Sequence, residues 1–270
     1  MTPPIPHKQK RKERRHKADK THYMFAIYKK ELRAYFISPV GYVYTGIFLA
    51  AAALICAYTT IQKASYNTTN YFQYMILTFI ILIPLLTMRL FSEERKMRTE
   101  QLLLTAPVSI TGMVLGKYLA ALTLFVSTVL VSCINFFPLI SYAIAEQSTA
   151  SQSVHVGPEG GQIIGCLIGV ILIGACFIAV GIFISSLTES QLSAAVITVA
   201  VIAVMLLVGI FNEYIGAAFI RTILDWISVL SRFDRFAYGL FDFSALLYYL
   251  SISGIFLFLT VRVYEKRRWG

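Results

Sequence analysis

Six ionisable side chains crowd into eight residues of this chain: Glu93, Glu94, Arg95, Lys96, Arg98 and Glu100. Thr99 and Gln101 add uncharged hydrogen-bonding groups to the same stretch. Carboxylates and cations at this density suit presentation of a folded element to a partner rather than bond chemistry. The nearest candidate for a phosphate loop runs from Gly112 to Tyr118. It has three residues between its glycines instead of four and ends in a Tyr unsuited to bind Mg²⁺. ATP hydrolysis by this chain is therefore not expected. Cys56, Cys133, Cys166 and Cys176 all lie in apolar runs, with no CxxC pair and no histidine at metal spacing. They read as small hydrophobes of helix packing. His7, His16, His22 and His155 form no cluster, and no H-E-x-x-H is present.

The elements that must hold the charged block are apolar. Of 270 residues, 57% are hydrophobic and 14% charged, and the mean hydropathy is +0.68. Soluble domains carry about 25% charged residues. Six apolar runs, near 40–61, 71–90, 113–140, 162–187, 192–211 and 243–262, have the roughly 20 residues that cross a hydrocarbon core of ~30 Å. In lipid a segment must satisfy its own backbone, so the runs are helices, and the alternation of a β-barrel is absent. The expected fold class is an all-α polytopic membrane protein. It has six transmembrane helices, an N-terminal amphipathic elbow helix, a cytoplasmic helix between spans two and three, and an outer helical hairpin before span six. The expected divisions are a disordered basic tail over 1–21, the elbow over 22–38 and the membrane domain over 39–270.

Charge orients the spans. Residues 1–38 carry eleven Lys and Arg against three acids, and residues 89–117 carry five against three. The last nine residues carry Arg262, Lys266, Arg267 and Arg268 against Glu265. Segments 62–70, 141–161 and 212–242 show no such excess. Basic segments mark the cytoplasmic side, and with six spans they all fall on one face, which puts both termini in the cytoplasm. The tail (Lys8, Lys10, Arg11, Lys12, Arg14, Arg15, Lys17, Lys20) is expected to attract anionic lipid by about 1 kcal/mol per basic residue. A nucleic-acid partner is not expected.

Local patterns refine the elements. Met24, Ile27, Tyr28, Leu32, Tyr35 and Phe36 recur at helical spacing, while Lys29, Lys30, Glu31 and Arg33 fill the other face. This is an interfacial helix with a basic side, stopped at Ser38-Pro39. Within 91–118, Ser92 is suited to cap a helix that starts at Glu93 and Glu94 and runs to about Leu104. Glu94 and Arg98 stand at i, i+4, Leu102, Leu103 and Leu104 form an apolar patch, Pro107 breaks the element, and Ser109 or Thr111 starts the next helix. Pro84 and Pro138 are expected to kink spans two and three. Gly165 and Gly169 make a small-xxx-small packing face, with a subunit interface as the alternative to packing within the chain. Phe219, Ile223, Trp226 and Leu230 suggest an amphipathic outer hairpin, and Asp242 a cap for span six.

The stretch EERKMRTEQLLLTAPVSITGMVLGKYLA resembles the cytoplasmic loop of ABC type-2 permeases. The likeness is greatest to the branch of the gliding-motility and nitrous-oxide-reductase maturation permeases. Glu94, Thr99, Leu103, Leu104, Thr105, Pro107, Val108, Ser109, Gly116 and Lys117 match the branch pattern. Arg98 stands where Gly is usual, and Gln101 where Glu is usual. KKELRAYFISPVGYVY, RFDRFAYGLFDF and LTVRVYEKRRW carry the likeness over nearly the whole chain. The resemblance implies a non-catalytic membrane subunit of an exporter in a bacterial cytoplasmic membrane, working as a pair with a second copy or paralogue. ATP and Mg²⁺ would be bound by a separate ATPase subunit, and an accessory membrane or extracytoplasmic protein is a further expected partner. The resemblance also makes segment 91–118 a coupling helix, with Glu93, Glu94, Arg95, Arg98, Thr99, Glu100 and Gln101 as its ATPase-coupling residues and Lys29, Lys30 and Arg33 as those of the elbow. The competing readings are an ATP-driven mechanical or signalling complex, and a secondary transporter or channel. The latter wants ionisable groups at mid-membrane or inverted repeats, and the spans offer neither.

Overall fold

The computed structural model describes residues 23–61, 68–101, 109–149, 160–211, 228–237, 239 and 242–269. The basic tail, Leu102 to Val108, His155, and Phe219, Ile223 and Trp226 of the expected hairpin lie outside the described residues. All regular structure among those described is helical. In chain order the helices are α1 (residues 23–37), α2 (Pro39–Cys56), α3 (Thr69–Thr87), α4 (Arg89–Lys96), α5 (Ile110–Ser132), α6 (Phe136–Thr149), α7 (Gly160–Leu187), α8 (Gln191–Phe211), α9 (Phe233–Ala237) and α10 (Phe243–Trp269). A π-helical turn, Ala57–Ile61, extends α2, and a 3₁₀ turn, Cys133–Asn135, joins α5 to α6.

Six helical stretches are long and apolar enough to cross a membrane: Pro39–Thr60, Thr69–Lys96, Ile110–Ser141, Gly160–Leu187, Gln191–Gly209 and Phe243–Arg268. They do not share the interior equally. The apolar part of α7 is 72% buried, against 22% for α8 and for α10, so α7 is the central pillar. It packs against α3, α4, α5, α8, α9 and α10. A helix apolar on all sides is what burial against protein on one face and lipid on the other permits.

The helix irregularities have local causes. Pro138 sits in the first turn of α6, where it has no N–H to give and its ring would strike the carbonyl four residues back. The 3₁₀ turn at Cys133–Asn135 takes up that misfit. The helical hydrogen-bond ladder of span two is interrupted at Met88, between α3 and α4. There the Ser185 hydroxyl of α7 accepts from the Phe91 and Ser92 N–H groups at 3.2 and 3.3 Å and donates to the Met88 carbonyl at 3.2 Å. A side chain inserted into the backbone ladder in this way is among the causes of helix kinks. Pro84 lies one turn earlier in α3.

Gly165 and Gly169 face α9 of the same chain. A Cβ at Gly165 would lie 2.6 Å from the Phe236 carbonyl oxygen, and one at Gly169 would lie 2.9 Å from the Phe233 ring. The small-residue face therefore packs within the chain and is not a subunit interface. Asp242 caps α10 as expected, its Oδ1 accepting from the Ser244 N–H at 2.9 Å and its Oδ2 pairing with Arg235 at 2.7 Å. The Ser244 N–H and Arg235 together hold this carboxyl below the usual carboxylate range.

Candidate functional site: the junction of α1, α4 and α5

Pro39 sends the chain from the elbow into the first span. Ser38 is extended, with φ −82° and ψ 147°, as the residue before a proline prefers. The reversal is so tight that a Cβ at Gly41 would lie only 2.1 Å from the Tyr35 carbonyl oxygen. Folded back in this way, α1 crosses α5 at Gly116, where a Cβ would meet the Met24 carbonyl oxygen at 3.0 Å and the Ile27 side chain at 3.2 Å. Tyr35 anchors the far end of the elbow, donating to the Leu86 carbonyl at 3.0 Å. Burial, with the nearby Glu31 carboxylate adding to it, raises the Tyr35 phenol well above its ordinary range, while Arg89 opposes the shift.

The close approach at Gly116 delivers the next residue, Lys117, into a knot of three elements. Its side chain is 1% exposed. The ammonium donates to Glu31 Oε1 of α1 at 3.1 Å, to Glu94 Oε1 of α4 at 2.8 Å and to the Leu90 carbonyl at 2.7 Å. Three acceptors match the three N–H bonds of a lysine ammonium. The Phe91 ring lies beneath the charge, 5.0 Å from Nζ, and stacks against Tyr264 of α10. Lys30 completes the cluster at 3.7 Å from Glu31 and 4.0 Å from Glu94. Two cations and two carboxylates balance, and both carboxylates are engaged by cations. A cleft of about 250 Å³ opens beside the knot between α1 and α4, lined by Tyr35, Arg89 and Glu93 among others.

Further straps fasten the segment after α3. Arg89 pairs with Glu93 at 3.2 Å and donates to the Ser38 hydroxyl at 2.9 Å. Arg95 donates to the Leu187 carbonyl at 2.9 Å and pairs with Glu189 at 2.8 Å. Glu100 accepts from Arg267 at 3.0 Å, and the same guanidinium donates to the Ser186 carbonyl at 2.8 Å. The charged block is thus tied to α1, α5, α7 and α10.

Several local expectations for this block are corrected. Ser92 is not a cap. It lies buried inside α4, its hydroxyl donating back to the Met88 carbonyl. The helix is not continuous as expected: α4 ends at Lys96, a turn follows over 97–99, and helical backbone resumes at Glu100 and Gln101. Glu94 and Arg98 do not pair, since Glu94 is taken by Lys117. Glu31 is not on the solvated face of the elbow but turns inward to the same lysine, 13% exposed. The stop of α4 is a turn centred on Arg98, whose φ is +55°. The Thr99 N–H donates to the Glu94 carbonyl at 3.0 Å and the Arg98 N–H to the Arg95 carbonyl at 3.1 Å, which is the Schellman pattern. Arg98 occupies the left-handed position that glycine normally fills. Ser109 does start α5, its hydroxyl accepting from the Gly112 N–H at 3.3 Å.

The expected site residues therefore separate into two sets. Glu94, Arg95, Glu100 and, through Arg89, Glu93 point into contacts within the chain. Arg98 and Gln101 are on the exposed side with Lys96, while Thr99 is half-buried and its hydroxyl donates to the Glu94 carbonyl. Met97, which the sequence reading passed over, is 69% exposed at the tip of the turn. Lys29, Lys30 and Arg33 are exposed on α1. In the sequence Lys117 stands out only as half of a Gly-Lys pair. A lysine inside an apolar segment was the available signal for its burial. Its partners, Glu31 and Glu94, lie 86 and 23 residues away, and no periodicity links them.

A family described as ABC-2 family transporter protein matches residues 24–267 of the chain. No curated protein matches it.

Proposed function

The chain belongs to the ABC-2 family of transporter proteins, and on that premise we propose an ATP-driven exporter in which segment 91–118 receives the stroke of a separate ATPase subunit. As an ABC transporter permease it is a multi-pass membrane protein, and the family implies an ATPase partner and a second membrane subunit. In the proposed arrangement the membrane is the bacterial plasma membrane, both termini are cytoplasmic, and ATP and Mg²⁺ sit on the partner. The excess of Lys and Arg at 1–38, 89–117 and the C-terminus supports that orientation. The exposed apolar faces of α2, α8 and α10 leave room for a second copy or paralogue beside lipid.

The observation that carries the coupling reading is the Lys117 knot. A buried ion pair is costly to break from one side, by about 3–5 kcal/mol. Elbow, α4 and α5 therefore move together rather than slide past one another. A push on the tip of α4 reaches span three through Lys117, span two through Met88 and span six through Arg267. Lys96, Met97, Arg98 and Gln101 form the outward contact surface, and Glu94 and Glu100 hold the lever in place from within. Two discrete arrangements of the membrane dimer complete the mechanism.

The test is co-purification of the ATPase with Met97→Asp and Arg98→Asp variants, set beside Lys117→Met. The outward changes are expected to abolish association. Lys117→Met is expected to keep association and lose transport-linked ATPase stimulation. Unchanged association in both outward variants would sink the coupling assignment. Full coupling with no substrate moved would favour the mechanical or signalling complex instead.

A further inference from the structure

Four cations line one groove on the outer side of the elbow. Lys29, Lys30 and Arg33 of α1 face Arg89 at the start of α4 across a depression of about 690 Å³, which Ile37 and Ser38 close at the end nearest the first span. The volume falls within the range of small-molecule sites, and no acidic side chain among the described residues lines it. Lys29 and Arg33, one helical turn apart, have no carboxylate partner among the described residues. Lys30 is 67% exposed with only long contacts to Glu31 and Glu94. Arg89 spends Nε on Glu93 and Nη1 on Ser38, which leaves Nη2 for an incoming acceptor.

Lys30 shares its carboxylates with Lys117 and Arg89 is paired with Glu93, whereas Lys29 and Arg33 have no counter-charge among the described residues, and like charges held this close favour an anion between them. The neighbouring apolar surface indicates which anion. Ile37, 70% exposed, lines the depression, and its chain neighbours Phe36, Tyr42 and Val43 are 52%, 65% and 51% exposed. A phosphate on its own would use the cations and ignore these side chains. A phospholipid uses both, with its phosphate at the cations and its acyl chains along α2.

We propose that the groove bounded by Lys29, Lys30, Arg33 and Arg89 is a binding site for the phosphate headgroup of an anionic phospholipid. The site rests on the membrane reading of the fold and not on ATPase coupling. It is also distinct from the diffuse attraction of the basic tail. Because Arg89 holds Glu93 of α4 as well, a seated headgroup shares a guanidinium with the segment that ends in the Arg98 turn. Lipid occupancy thereby bears on the position of α4.

The test is native mass spectrometry of the purified full-length chain titrated with dioleoylphosphatidylglycerol or dioleoylphosphatidylcholine. The wild type is compared with a Lys29→Gln/Arg33→Gln variant and with a tail variant, Lys8→Gln/Lys10→Gln/Lys12→Gln. Both altered elbow residues are exposed and have no carboxylate partner among the described residues, so the fold is expected to survive, and unchanged helical circular dichroism checks this. The elbow variant is expected to retain phosphatidylglycerol about thirty-fold more weakly, as follows from ~1 kcal/mol for each of two charges. The tail variant is expected to retain more than the elbow variant despite losing more charge. Phosphatidylcholine should bind weakly to all three. Equal retention by the elbow variant and the wild type would overturn the site, as would a tail effect as large as the elbow effect. Displacement of the lipid by inorganic phosphate at constant ionic strength would also overturn it, by assigning the groove to the free anion. An elbow variant that misfolds is replaced by Arg33→Gln alone, for which about five-fold weaker retention is expected on the same basis and no change is the overturning result.

Discussion

Replacing Lys117 with Met keeps the length and apolar stem of the side chain and removes only its charge. In the wild type that charge is 1% exposed and engages two carboxylates and one carbonyl at 2.7–3.1 Å. Removing one partner of a buried ion pair costs about 3–5 kcal/mol, because the remaining charges stay desolvated. Two features reduce the cost here. Glu31 and Glu94 keep 13% and 17% of their side-chain surface exposed, so water reaches them in part. Lys30, two-thirds exposed, can swing towards them, for a gain below about 1 kcal/mol. The expected loss is therefore ~2–4 kcal/mol, which dwarfs the effect of an exposed charge such as Lys96. The assay is denaturant unfolding of the full chain in mild-detergent micelles, followed by pulse proteolysis. The decisive comparison is the triple variant Lys117→Met/Glu31→Gln/Glu94→Gln. It no longer buries unpaired charge and should recover much of the stability. A loss for Lys117→Met no greater than for Lys96→Met would refute the claim that the knot holds α1, α4 and α5 together. A triple variant weaker than the single one would refute the electrostatic origin of the effect.

Arg98→Gly should stabilise the chain by about 1 kcal/mol, since a non-glycine residue pays about that much for a left-handed backbone. The same denaturation assay reads it, and a destabilisation would show that the Arg98 side chain matters more than its φ. Gly41→Ala should destabilise by about 1–3 kcal/mol or more, because the added methyl meets the Tyr35 carbonyl at 2.1 Å. Faster protease cleavage near the elbow would report the opening. Tyr35→Phe should cost about 1 kcal/mol through loss of the bond to the Leu86 carbonyl. The phenol is raised by burial in the folded state, so its contribution is complete below the ordinary phenol range. It falls away as the pH rises through that range, where only the unfolded chain ionises. A Tyr35→Phe chain should lose less stability at alkaline pH than the wild type, as phenolate absorbance and unfolding measured together would show.

The sequence shows the six spans plainly because lipid imposes a length and a composition on each of them. It also shows the elbow, whose amphipathic pattern ends at a proline, and the Asp242 cap, whose partner is two residues away. These are local rules. The charged block at 93–100 was visible as an anomaly but its interior was misread, because helix rules place Ser92 as a cap and Arg98 as a partner for Glu94. Packing overrides both. The helix of span two carries on past Met88, where the Ser185 hydroxyl joins its ladder, so Ser92 lies inside α4, and Lys117 takes Glu94 away from Arg98. The departure from the family pattern at Arg98 was legible as an unusual residue. That it marks a left-handed turn required the backbone.

By itself, then, the chain determines that it crosses a membrane six times, lays a basic elbow beside the first crossing and carries its charges between those crossings and at their ends. Hydropathy, proline chemistry and charge bias act over one element at a time, and one element can be read without its neighbours. Only the tertiary structure decides which charges face outward and which are spent inside. That choice depends on the 86-residue separation between Glu31 and Lys117 and the 167-residue separation between Glu100 and Arg267. A buried charge takes its partner from whatever the packing of helices brings within hydrogen-bond reach, and that packing is a property of the assembled bundle.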